Sequence, residues 1–145
     1  MEQDIFEHSL RLINKYGRKT AKPCRYGTDD LLYAAEVHMI TAIGIHENIT
    51  VTGLAELTGI TKGAVSQTLS KLSDKSLIEK HISEKRRTEV KISLTEKGRQ
   101  IFRYHQDMHS ITREKIYAQL DTLDDKAMET IVNIINELDN MLDEL

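Results

Sequence analysis

A turn glycine, Gly59, separates two short runs of helical periodicity, and that pairing limits the fold more than any other feature of the chain. Before it, Thr50, Val51 and Thr52 open a segment carrying Leu54, Ala55 and Leu57. After it, Thr61 is a good N-cap, and Ala64, Val65, Leu69 and Leu72 recur on one helical face. The spacing predicts two helices that cross at a tight turn. Two runs then alternate apolar residues as half-buried strands do: Leu77 to Ile82, with Ile78 and Ile82, and Glu89 to Leu94, with Val90, Ile92 and Leu94. Between them Lys85, Arg86 and Arg87 form a cationic tip. The order predicts a mainly α fold, a winged helix-turn-helix with a two-stranded β wing.

The second helix of the pair carries Lys62, Ser66, Gln67, Ser70 and Lys71 opposite its apolar stripe. Lys offsets phosphate charge, and Gln can make a two-point contact with an adenine edge in the major groove. An Arg at the hairpin tip has the size and charge to enter a narrow minor groove. Thr61, Lys62, Ser66, Gln67, Ser70, Lys71, Lys85, Arg86 and Arg87 are therefore the candidate contacts to double-stranded DNA. Residues 50–99 hold ten Lys or Arg against six Asp or Glu, and residues 100–145 hold four against ten. This balance predicts a basic surface confined to the segment that meets phosphate, with the acidic end facing away.

The remaining periodicity is helical. Ile5, Phe6, Leu10, Leu12, Ile13 and Tyr16 predict a helix over residues 3–19, broken by a loop from Lys22 to Gly27. Thr28 or Asp29 can cap the next helix, whose Leu31, Leu32, Ala35, Val37, Ile40, Ala42 and Ile43 run to Gly44 as terminator. Thr95 is placed to cap a long helix reaching about Gln119, and a last helix begins near Asp124. Its Met128, Ile131, Ile134, Ile135, Leu138, Met141, Leu142 and Leu145 make a wide apolar stripe, which paired with the first helix suits a symmetric dimer. Ile5, Leu12, Ile131, Ile135, Leu138 and Leu142 are the candidate dimer residues. The 145 residues are read as one domain, with 28–99 as DNA-binding region and 1–27 and 100–145 as helical dimerisation region. Two modules about one helical turn apart would read an inverted repeat.

Composition bounds the function. With 39% hydrophobic and 30% charged residues the chain is an ordinary globular one, no apolar run approaches a bilayer's span, and Met1-Glu2-Gln3-Asp4 is acidic where a signal peptide is basic. A cytoplasmic protein without membrane contact is expected. Cys24 alone cannot build a disulfide framework. A glycine-rich phosphate loop, a nucleophile elbow and paired carboxylates are all missing, so catalysis is not expected. A winged helix that binds protein rather than DNA is the rival from another class.

With these elements placed, the chain resembles the MarR family of dimeric winged-helix transcription regulators over essentially its whole length. The resemblance is carried by Leu54-Ala55-Glu56-Leu57, by Ile60 to Ser66, by Lys71-Leu72 with Leu77-Ile78-Glu79, and above all by Arg86-Arg87 followed by Leu94-Thr95-Glu96-Lys97-Gly98. It implies that Lys62, Ser66, Gln67 and Lys71 face the major groove and that Arg86 and Arg87 sit in the wing. Gln67 stands where many members have Arg, and Lys85 where the wing usually has an Asp that braces the Arg two positions later. The expected function is a dimeric repressor controlled by a small effector.

For the effector the residues leave alternatives open. His105 and His109, four apart on one helix, project from the same face, and with His38 and Cys24 they offer three imidazoles and a thiolate for a tetrahedral Zn(II) site. The stretches Glu36-Val37-His38 and His105 to His109 are similar to those of zinc-uptake repressors in the family. A similar His pair, with a glutamate and histidine earlier, also occurs in the family's regulators of fatty-acid synthesis, which points instead to an acyl or other small apolar ligand between the DNA-binding and dimer regions. Cys24 among Lys22, Arg25 and Tyr26 also admits redox sensing.

Overall fold

The computed structural model describes residues 2–83, 86 and 89–144. Its elements in chain order are α1 (Glu2–Thr20), α2 (Ala34–Ile45), β1 (Ile49–Thr50), α3 (Val51–Thr58), α4 (Lys62–Asp74), β2 (Ile78–Ile82), β3 (Val90–Leu94), α5 (Glu96–Leu120) and α6 (Asp125–Asp143). The chain divides into two compact units, one up to Gln106 and one from Asp107.

Capping by short polar side chains sets the helix starts. Thr50 Oγ1 accepts from the Gly53 amide at 3.1 Å, Thr61 Oγ1 from Ala64 at 3.2 Å, Thr95 Oγ1 from Gly98 at 3.1 Å and Asp124 Oδ1 from Ala127 at 2.8 Å. Gly59 ends α3 in the left-handed region (φ 69°, ψ 17°) and donates its amide to Ala55 O at 3.0 Å. A side chain there would be strained, so glycine permits the tight turn into α4.

The first unit closes around one apolar core. The sheet is antiparallel in the order β1-β3-β2, with Ile78 opposite Leu94 and Ile49 opposite Ile92. Ile78, Ile92 and Leu94 turn inward to meet Val37, Ile40 and Ile43 of α2, Leu54 of α3, and Val65, Leu69 and Leu72 of α4. Each such side chain contributes about 1.5–3 kcal/mol when fully buried. This packing fixes which face of α4 remains outside.

Three expectations need correction. First, the wing is part of a three-stranded sheet, because Ile49 and Thr50 pair with β3 before α3 begins. Second, α2 starts at Ala34 rather than near residue 28. Cys24 and Leu32 exchange two backbone hydrogen bonds of 2.9 Å, so Leu32 enters the core from extended chain, and Glu36 Oε2 accepts from the Tyr33 amide at 2.9 Å to set the helix start. Third, Gly44 lies inside α2 and is a packing residue. A Cβ there would come within 2.5 Å of the Phe102 ring, so its absence lets α2 and α5 approach.

Candidate nucleic-acid interface

Burial of Val65, Leu69 and Leu72 leaves Lys62, Ser66, Gln67, Ser70 and Lys71 exposed together on α4, with Thr61 exposed at its cap. In the wing Arg86 is exposed. Lys85 and Arg87 lie outside the described residues. The wing's outer face carries His81, whose Nε2 is 3.0 Å from Ser93 Oγ and 3.4 Å from Glu79 Oε2.

Behind this surface a charged clamp ties the reading elements to the loop before α2. Lys75, the C-cap of α4, donates to Glu36 Oε1 at 2.7 Å and to Leu31 O at 2.9 Å. The Glu36 side chain is only 5% exposed, so the cation that neutralises it also fixes the end of α4 against the start of α2. Lys97 in the first turn of α5 pairs with Asp30 at 2.8 Å and donates to Lys75 O at 3.2 Å. Burial pushes the Asp30 carboxyl up, but hydrogen bonds from Lys97 and Thr28 and the charges of Lys97 and Lys75 outweigh it and hold the group below its ordinary value. In the sequence, Glu36 and Lys97 stand out only as parts of family-like stretches, and nothing there pairs any of these four residues. Their partners lie 39 and 67 residues apart, beyond any local spacing signal.

Five rings and hydroxyls gather beside the clamp. The Tyr16 and His38 rings stack at 6.4 Å, with the Tyr16 hydroxyl 3.4 Å from His38 Nε2. The His38 and His105 ring centroids are 5.9 Å apart, Tyr26 meets His105 edge-on at 6.0 Å, and Thr41 Oγ1 is 3.1 Å from His105 Nδ1. Burial raises the Tyr26 phenol above its ordinary value, and the neighbouring Cys24 and Tyr16 add to the shift. Cys24 is exposed, with Sγ 3.9 Å from Lys22 O. His109 belongs to the second unit. Of the expected zinc ligands, then, His38 and His105 are neighbours. Among the described residues no three His, Cys, Asp or Glu side chains group as a candidate metal site.

Next to the rings a groove of about 500 Å³ runs between α1 and α4. Tyr16 and Thr20 form one wall, Tyr33 to Glu36 and His38 the floor, and Thr68 and Lys71 of α4 the other wall. Anything seated there touches the candidate reading helix directly.

The expected dimer residues are found on open apolar faces. Ile5 and Leu12 of α1 are exposed, α6 has no buried residue among those described, Ile131 and Leu138 are half-buried, and Ile135 and Leu142 are 58% and 41% exposed. The expectation that positive charge stays within residues 50–99 does not hold. Arg11, Lys15, Arg18 and Lys19 of α1 are all exposed as well. The signal was present in the sequence, since residues 8–28 hold six Lys or Arg and no Asp or Glu.

Two helices crossing at a left-handed glycine, followed by a sheet-backed hairpin and a long helix, define a winged helix-turn-helix protein. Residues 30–87 match the model of the MarR family. The HTH-type transcriptional regulator PchR of Bacillus subtilis (strain 168) is 28% identical over 107 residues, 74% of this chain and 63% of that protein. A second curated relative, the uncharacterized HTH-type transcriptional regulator YhjH of the same strain, is 26% identical over 66% of this chain and 55% of its own length. The chain therefore spans less than two thirds of either. Among solved structures, Streptococcus pneumoniae FabT in complex with DNA has a TM-score of 0.70 at 26% identity, covering 99% of both chains. Lactococcus lactis ZitR, a zinc-responsive MarR family member, has a TM-score of 0.66 at 21% identity over 98% of this chain and 99% of its own. The chain is thus similar to MarR family regulators: residues 30–87 match the family's model, and the whole chain shares the fold of FabT. Among the described residues no helix is long and apolar enough to cross a membrane.

Proposed function

We propose that the protein is a sequence-specific, non-catalytic transcription regulator of the cytoplasm, a homodimeric repressor that binds an inverted repeat through α4 and the wing and is controlled by a small effector. The observation that carries this reading is the polar face of α4, where Lys62, Ser66, Gln67, Ser70 and Lys71 stand exposed behind a fully buried stripe. Lys62, Lys71 and Arg86 supply phosphate contact, Gln67 reads a base edge, and Arg87 and Lys85 extend the wing's charge. The similarity to FabT, solved with DNA, supports the same use of the fold here.

The effector reading rests on the groove between α1, α2 and α4. A ligand there presses on Thr68 and Lys71 and so changes the pose of α4, and the coupling acts in both directions, DNA altering effector affinity by the same factor. Zinc control is the second reading, favoured by the neighbouring rings of His38 and His105. Metal content and thermal stabilisation of the purified protein separate the two, because a ligand that binds only the folded state raises Tm in proportion to its occupancy.

Gln67→Ala tests the assignment of α4. On a duplex selected by the wild-type protein, the variant is expected to lose about 1–3 kcal/mol of discrimination at one base position per half-site, while binding to scrambled DNA is nearly unchanged. Equal losses on both duplexes would remove Gln67 as a base reader.

A further inference from the structure

The positive face of α1 lies outside the elements assigned to base reading. Arg11, Lys15, Arg18 and Lys19 follow one another at i, i+4, i+7 and i+8, so they share one side of the helix, and all four are exposed. None of the ion pairs among the described residues involves them. Lys22, also exposed, continues the charge into the following loop. Arg18 and Lys19 suit the last turn of a helix, where cations offset the carbonyl end of the dipole, but Arg11 and Lys15 lie too far back for that role.

We propose that this face of α1 is a second phosphate-binding surface, engaging duplex DNA beside the bases that α4 reads. The inference rests on the proposed DNA binding of the chain. Proximity to α4 favours DNA as the occupant: Tyr16 and Thr20 of α1 and Lys71 of α4 line one groove, so the last turns of α1, which carry Arg18 and Lys19 on another side of the helix, lie beside the reading helix. Length agrees as well. The stripe from residue 11 to 19 covers about 12 Å at 1.5 Å per residue, enough to follow three or four phosphates of one strand spaced about 3.4 Å along the axis. Without an acid among residues 8–28, nothing in the stripe repels a polyanion.

The test is a salt series on the full chain with a duplex selected by the wild type and extended by ten flanking base pairs. Arg11→Gln, Lys15→Gln, Arg18→Gln and Lys19→Gln are combined, since Gln keeps helix propensity and removes the charge. Loss of at least two phosphate contacts is expected to lower the slope of log K against log salt by about 1.8 or more, which makes binding at 0.15 M salt weaker by roughly thirtyfold or more. Preference for the selected over a scrambled duplex should stay as in the wild type. The 11/15 and 18/19 pairs, measured separately, give the same reading if the fourfold variant fails to fold. An unchanged slope, with the wild type still bound, overturns the proposal and would leave an acidic protein as occupant. If the wild type itself shows no salt-dependent sequence preference, DNA binding is overturned with it.

Discussion

Alanine at position 98 is expected to destabilise the first unit by about 3 kcal/mol, roughly 10 °C in Tm. A Cβ on Gly98 would fall directly on the carbonyl oxygen of Leu77, with the carbonyl carbon at 3.1 Å and Leu94 Cβ at 3.4 Å. That carbonyl cannot swing aside without loss, because it accepts from the Thr95 amide at 3.1 Å, while the Leu77 amide is held by Leu72 O at 2.9 Å. Leu77 is fully buried, so the clash reaches the end of α4, the base of the wing and the first turn of α5 together. Gly63→Ala is the control. Its added methyl meets nothing nearer than Thr61 Oγ1 at 3.9 Å, and alanine's helix propensity should raise stability by up to about 1 kcal/mol. Thermal melts of the two variants decide the matter, and an unchanged Tm for Gly98→Ala would contradict the close approach.

Charging the final helix should have the second large effect. Within α6, Ile135 and Leu142 are the more exposed of the expected dimer residues, so aspartate at both leaves the packing within one chain largely intact. In a dimer interface the same carboxylates would be buried without partners, a penalty of several kcal/mol each. Ile135→Asp with Leu142→Asp is therefore expected to sediment as a monomer with wild-type helix content, and to lose high-affinity binding to an inverted repeat as the second half-site is released. A stable dimer after this double change would place the seam elsewhere.

The parts of the fold that were legible in the sequence are those fixed by neighbours a few residues away. Thr61 caps α4 through an amide three residues on, and Gly59 ends α3 through its own backbone freedom. The outward face of α4 followed from the same local logic, since the spacing of Val65, Leu69 and Leu72 determines what stands opposite. Strand β1 escaped because two residues show no alternation, and only pairing with Lys91 and Ile92 makes them a strand. Residues 28–33 looked helical by pattern, yet Lys75 and Lys97 hold Leu31 O and Asp30 in an extended path. The ring cluster draws Tyr16, Tyr26, His38, Thr41 and His105 from three helices and a loop, so no single stretch of sequence contained it.

Titration of the wild-type protein with its selected duplex and with a scrambled one, each over a range of salt, tests the central claim that α4 and the wing read DNA. Binding to both should weaken linearly in log salt, by about 0.9 per phosphate contact, while the selected duplex stays tighter by a factor on the order of a thousand or more at physiological salt. Equal affinity for the two duplexes, with little dependence on salt, would contradict it.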